Sequence, residues 1–249
     1  MMKTPAHNLE DKDIHEISLF KNCDKSFFDS LAAQAQEQKY EKGKIIFIHG
    51  DDAQRFYFIK SGWIKLFRET LDGAQAVVDI LPAGQIFGET SIFEDQAYPY
   101  SAEVVEPTTL VSMPISILRK EIEDNNKMAY SMLSSMARYR RQQDREIEHR
   151  SIQNAPQRIG CFLLRLADQE EAGPVSIHLP YDKTLVASRL GMQPETFSRA
   201  LAKLRDATGM KVKGATIELQ SLDQLVNFSC AACSSEFPCK DLLPPEAPE

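Results

Sequence analysis

Between Tyr40 and Met113 the apolar residues of this chain come in short runs separated by turn signals. The runs KIIFIHG, RFYFIKSG, WIKLFRE, AVVDILPAG and TLVSMP recur every 10 to 15 residues. Six of the eleven glycines (Gly43, Gly50, Gly62, Gly73, Gly84, Gly88) fall in this stretch. Aromatic and β-branched side chains dominate the runs, as suits pleated, half-buried positions. Short strands at even spacing predict a closed or rolled β-structure rather than a parallel sheet. The first 39 residues read as helical, with FFDSLAAQAQ giving the clearest pair of turns.

At Ile115 the period changes. ISILRKEIEDNNKMAYSMLSSMARYRRQQDREIEHRSIQN runs for 40 residues without glycine or proline and predicts one long helix. Ala129, Leu133, Met136, Arg140, Gln143 and Ile147 follow a 4-3-4-3-4 spacing, flanked by Met128 and Met132. That spacing keeps one stripe turned toward a partner helix, so it predicts pairing with a second copy of the chain. The competing reading is a long helix packed on its own β-domain. Pro156 ends this helix or opens the next, the amphipathic RIGCFLLRLADQ, which Gly173-Pro174 stops. VSIHLP reads as a short strand, and GMKVKGATIELQ as a hairpin turning near Lys213-Gly214. After Val226 the sequence turns proline- and acid-rich and predicts a loose tail.

Between those strands lies KTLVASRLGMQPETFSRALAKL. Asp182 caps a short first helix, Ala187 is small where two helices must cross, and Gly191 suits a turn at positive φ. Pro194 fits the first position of the second helix, where its missing N–H costs nothing. Phe197, Ala200, Leu201 and Leu204 form a buried stripe; Glu195, Ser198, Arg199 and Lys203 lie off it. These features predict a helix-turn-helix. A second helix that enters the major groove tip first would offer Glu195, Ser198 and Arg199 to base edges, with Gln193 beside them. Arginine can donate twice to guanine, glutamate can accept from cytosine, and serine can do either. Thr184, Lys203, Lys211 and Lys213 are candidates for phosphates. The competing reading is a winged helix used for protein contact, with Arg199 merely solvated.

Charge sharpens this picture. The whole chain carries a net −7, which argues against indiscriminate coating of nucleic acid. Between Lys183 and Lys213, however, seven cations (Lys183, Arg189, Arg199, Lys203, Arg205, Lys211, Lys213) face two acids (Glu195, Asp206), a local +5. That asymmetry suits one basic working face. No apolar run approaches a membrane span and no secretion signal opens the chain, so a cytosolic location without membrane contact is expected. No nucleophile–base constellation or metal triad marks the folded region, so an enzyme is not expected.

The series of glycine-punctuated roll, long helix and winged helix-turn-helix resembles the family of the cyclic-AMP receptor protein and the fumarate-nitrate reductase regulator. The likeness runs from about Asp29 to Val226. It rests on KGKIIFIHGDDAQRFYFIKSGWIKLF, on the pocket segment GQIFGETSIFEDQAYPYSAEV, and on the reading helix. It implies an α+β fold: an effector-sensing β-roll of the cyclic-nucleotide-binding type (1–114), a dimerisation helix (115–155), a winged helix-turn-helix (156–229) and a Cys/Pro-rich tail (230–249). It further implies a homodimer on a two-fold DNA site, an effector that gates it, and RNA polymerase as a partner. Glu195-Thr-Phe-Ser-Arg199 is similar to the fumarate-nitrate branch and implies half-sites like TTGAT.

The effector pocket departs from the nucleotide-binding pattern. Phe87, Gly88 and Glu89 are present, but Tyr100-Ser101 stands where those binders carry the arginine that neutralises the cyclic phosphate. Cyclic AMP is therefore not expected. Nor does the chain resemble the oxygen-sensing branch, since Cys23 alone cannot ligate a cluster. NAPQRIGCFLLRLA and LVASRLGMQPETFSRALAKL are most similar to nitric-oxide-responsive regulators of denitrification. That resemblance implies haem b between roll and long helix. His7, His15, His49, His149 and His178 are the possible axial ligands, with His15 first and His178 read as a structural residue near the hinge. Met132 and Met136 would line an apolar pocket or belong to the dimer seam.

Five cysteines give no disulfide framework. Cys230, Cys233 and Cys239 have spacings seen in metal and redox sites, although a tetrahedral metal needs a fourth ligand, from Cys161 or a dimer partner. A metal, a redox disulfide and no specific role all remain open. The haem-free alternative is a regulator answering another small ligand, or redox state through these cysteines.

Overall fold

The computed structural model describes residues 17–20, 23–93, 96–167, 173–179 and 182–232. The chain divides into two compact units, residues 1–137 and 138–249.

In the first unit, helix α1 (Lys25–Ala32) precedes eight antiparallel strands. These are β1 (Gln36–Tyr40), β2 (Ile45–Phe47), β3 (Arg55–Ser61), β4 (Trp63–Glu69), β5 (Gln75–Pro82), β6 (Ile86–Phe87), β7 (Ser101–Val104) and β8 (Thr108–Pro114). They form two four-stranded sheets, β1-β8-β3-β6 and β2-β7-β4-β5. Period-two alternation assigns each side chain to one of two cores. Along β3, Phe56 and Phe58 join the helix-facing core with Phe20, Phe27, Phe28 and Leu31, while Tyr57 and Ile59 belong to the roll interior with Phe47, Ile64, Phe87 and Tyr98.

Three expectations need correction here. The segment through residue 39 is not helical to its end, because Gln36–Tyr40 pairs with β8 from Gln36↔Ser112 to Tyr40↔Thr108. Its ladder bonds hold it at a sheet edge although its side chains are almost all exposed. The long helix is two helices, α2 (Ile115–Asp124) and α3 (Asn126–Ile152). Asn125 breaks them: its backbone is extended, and its side-chain oxygen accepts from Lys127 N (3.0 Å) and Met128 N (3.3 Å), capping α3. Met128 and Met132 do not flank an open seam. Both are buried in the helix-facing core, whereas Leu133 (64% exposed), Met136 (42%) and Ile147 (62%) stay open to solvent.

The second unit takes up α3 after Ala137 and adds α4 (Ala155–Leu166), β9 (Val175–His178), α5 (Lys183–Arg189), α6 (Pro194–Thr208), β10 (Lys211–Lys213), β11 (Thr216–Leu219) and α7 (Asp223–Ser229). Asn154 and Gln157 form a reciprocal capping box at the start of α4, with Pro156 inside its first turn. β10, β11 and β9 make a small antiparallel sheet. Ile159, Leu163, Leu164, Ile177, Val186, Phe197, Leu204, Ile217 and Leu225 form one core beneath it.

Gly62 makes the tight turn between β3 and β4 at φ +87°, and a Cβ there would lie 2.9 Å from the Thr108 Cα. Gly62→Ala should therefore destabilise the sensor unit by about 2 kcal/mol or more, from left-handed strain and overpacking together. Urea unfolding of the two proteins checks this, and an unchanged midpoint would contradict it.

Candidate nucleic-acid interface and sensor pocket

The helix-turn-helix is built as its local sequence requires. The Asp182 side chain accepts from Leu185 N at 2.9 Å and starts α5. Ala187 is fully buried, and its carbonyl accepts from Met192 N at 2.8 Å across the turn. Gly191 sits at φ +64°, which a glycine adopts without strain. Pro194 opens α6 after Gln193, and the predicted stripe of Phe197, Ala200, Leu201 and Leu204 is buried.

The opposite face of α6 is wet. Glu195, Ser198, Arg199 and Lys203 are exposed, and so are Thr184 and Gln193. Positions 195, 198 and 199 share one face of the helix tip. Among the described residues Arg199 makes only a long bond, from Nε to the Glu195 carbonyl at 3.4 Å. Lys213 on the hairpin is exposed but paired with Glu218 at 3.0 Å, and Lys211 is exposed.

The fold corrects the charge count. Arg189 does not belong to the open patch: Nη1 and Nη2 donate to the two carboxylate oxygens of Glu146 at 2.9 and 2.6 Å. Arg205 likewise pairs with Asp206. Among the described residues, Lys183, Arg199, Lys203 and Lys211 remain exposed without an acid paired to them. No signal in the sequence reveals the Glu146–Arg189 pair, whose members are 43 residues apart. Burial would raise the Glu146 carboxyl, but hydrogen bonds and charge from Arg189, with the charges of Arg165 and Arg150, outweigh it and hold it below its ordinary range.

In the sensor unit the pocket segment closes the roll. Phe87 is buried, and Gly88 (φ +84°) lets the Tyr98 and Phe47 rings come close to its backbone. Those rings stack with centroids 3.7 Å apart, and Tyr57 stacks on Phe87 at 5.1 Å. Glu89 begins a short 3-10 turn, and burial pushes its carboxyl up to about 7. Ser101 is buried and accepts from His49 N at 3.0 Å, while Tyr100 is half-buried. Arg55 is engaged with Ser112 and the Gln34 carbonyl. Arg68 is exposed and donates to the Pro99 carbonyl at 3.3 Å.

The structure does not bring Met132 and Met136 together with these residues. Met132 packs in the helix-facing core and Met136 is exposed. His15, Cys233 and Cys239 lie outside the described residues. Cys230 is half-buried against the winged-helix core, and among the described residues no group of three or more metal-ligating side chains assembles. His178 is exposed on β9, with Nδ1 3.3 Å from Thr216 Oγ1, so it is a surface residue of the wing sheet rather than one packed at a hinge. In the described sensor unit the one histidine is His49, which is exposed. No described helix is long and apolar enough to cross a membrane.

A β-roll with its own core and a winged helix-turn-helix in one chain define a ligand-sensing, DNA-binding regulator. The cyclic nucleotide-binding domain family matches residues 37–125, and the Crp-like helix-turn-helix domain family matches residues 157–228. The chain is similar to the fumarate and nitrate reduction regulatory protein of Vibrio cholerae, at 25% identity over 90% of this chain and 91% of that one. Among solved structures it is similar to a candidate cyclic nucleotide binding protein of Ruegeria pomeroyi, at 30% identity and TM-score 0.63, covering 88% of this chain and 96% of that one. It is also similar to DNR of Pseudomonas aeruginosa, at 27% identity and TM-score 0.51, covering 91% of this chain and all of that one. The chain belongs to the Crp/Fnr family of transcription regulators, which are not enzymes.

The raised Glu89 carboxyl makes stability depend on pH with a definite sign. Between the ordinary glutamate value of 4.5 and about 7, the folded chain keeps a proton that the unfolded chain releases, so stability falls as pH rises. Glu89→Gln removes this cost. Between pH 5 and 8 its stability relative to wild type should rise by about 2 kcal/mol, read from denaturant melts at both pH values. A difference that stays flat with pH would show that the carboxyl is not shifted.

Proposed function

We propose that this chain is a homodimeric, effector-gated regulator that reads a two-fold TTGAT-type site and governs genes of nitrogen-oxide or anaerobic respiration. One observation carries the reading role: Glu195, Ser198 and Arg199 stand exposed together on the tip of α6 while the stripe behind them is buried. Arg199 would donate twice to guanine, Glu195 would accept from cytosine, and Ser198 would adapt between them. Gln193, Thr184, Lys203 and Lys213 would meet the backbone or flank these contacts, Lys213 by releasing Glu218. The open stripe of Leu133, Met136 and Ile147 on α3 supports pairing with a second copy, since apolar residues of this size at one spacing call for a partner. The likeness to the fumarate and nitrate reduction regulatory protein of Vibrio cholerae supports the respiratory setting. RNA polymerase is the expected partner once the dimer is on its site.

The effector would occupy the roll around Phe87, Gly88, Glu89, Tyr100 and Ser101, and it can gate the protein only through unequal affinity for two arrangements. Cyclic AMP is the disfavoured choice, because Tyr100 brings no cation for a buried phosphate. Adding it should leave DNA affinity unchanged. For the haem reading His15 is the first candidate ligand, and the test is a Soret band after reconstitution that is lost or shifted when His15 is replaced.

Fluorescence anisotropy with labelled duplexes tests the reading helix. Arg199→Ala should lose about 1–3 kcal/mol of preference for TTGAT-type over random sequence. Lys203→Ala should weaken both alike and reduce the salt slope by about one. A variant lacking Arg199 that discriminates as well as wild type would refute the assignment.

A further inference from the structure

Within the second unit, α3 grips the helix-turn-helix at two points one helical turn apart. Glu146 takes both arms of the Arg189 fork, at 2.9 and 2.6 Å, with Arg165 Nη1 4.0 Å from the same carboxylate. The two side chains are mostly enclosed, at 21% and 16% exposure. Arg189 is the last residue of α5, two before the Gly191 turn. Four residues after Glu146, the Arg150 guanidinium lies against that turn, with Cζ 3.7 Å from where a Gly191 Cβ would stand. Planar bidentate pairing fixes orientation as well as distance, which a lysine in place of arginine cannot do. Ile147, the neighbour of Glu146, is 62% exposed on the stripe that runs along the same helix. One helix thus carries both the apolar stripe and the clamp on the turn that precedes the reading helix.

We propose that Glu146 and Arg189 are positioning residues for DNA recognition: their bidentate pair fixes the reading helix relative to α3 and so sets the half-site spacing the dimer accepts. The inference rests on the dimeric reading above. Two reading helices held rigidly must meet major grooves about one helical turn apart, so a firm clamp demands one spacing and a loose one tolerates several. Neither residue lies on the exposed α6 face, so their loss should not alter which bases are preferred. A role in holding the domain together would lower affinity equally at every spacing.

The test uses the full-length protein and a set of duplexes carrying the same two half-sites at the optimal separation and at one and two base pairs more or less. Wild type should bind the optimal spacing best. Glu146→Gln, and Arg189→Lys as the variant that keeps the charge, should reduce the ratio of affinities between optimal and shifted spacings by about fivefold or more, at the low end of coupling between sites. Discrimination against a mismatched half-site at the optimal spacing should be unchanged, and circular dichroism should report the folded state of each variant. If both variants stay as spacing-selective as wild type, or lose affinity uniformly across spacings, the positioning role is overturned while the dimeric reading stands. If wild type itself binds one isolated half-site as well as the pair, the dimeric reading fails and the positioning role falls with it.

Discussion

Phe197, Ala200, Leu201 and Leu204 recur along α6 at the spacing of one helical face, and the winged-helix core takes all four. Removing each large member from water is worth about 1.5–3 kcal/mol, so turning α6 about its axis would forfeit much of what holds the unit together. The opposite face has no freedom of its own. Glu195, Ser198 and Arg199 are exposed because Phe197 and Leu204 are not. The Gly191 turn and Pro194 at its first position fix where the helix begins, so the three polar groups stand at its tip rather than midway along it.

The sensor unit obeys the same logic at period two. β3 divides its side chains between a helix-facing core and the roll interior, where Phe47, Tyr57, Phe87 and Tyr98 gather. Gly88 lets the stacked Tyr98–Phe47 pair approach the backbone beside Glu89. Burial pushes that carboxyl up, while Arg55, bonded to Ser112, places its charge near Tyr57 and Tyr98.

The winged helix was legible in the sequence because each of its devices is local: a cap, a small crossing residue, a turn glycine, a proline and a 3.6-residue stripe. Features that depend on distant partners were not. QEQKY gives no strand alternation, since β1 is exposed on nearly every residue and owes its conformation to the β8 ladder. The break at Asn125 involves neither glycine nor proline, only a side-chain amide that caps α3 in place of continuing α2. Met128 and Met132 flank the seam in sequence, but they fall on the side of α3 that meets Phe20, Phe27 and Phe56. A helical period names a face without saying what covers it.

Charge shows the same limit in sharper form. Summed along the chain, residues 183–213 carry +5, yet the fold turns Arg189 inward to Glu146 and sets Arg205 beside Asp206. A surface ion pair of the second kind is worth little. The first is different in kind: it is enclosed, bidentate and drawn from residues 43 apart, so removing either partner breaks an oriented, half-buried contact. The cations left open are those on α5, the outer face of α6 and the hairpin. On the proposed function, attraction to a phosphate backbone and the direction of the reading helix would fall to separate sets of cations. The sequence alone cannot separate the two sets, because membership depends on the acid each cation meets in the fold.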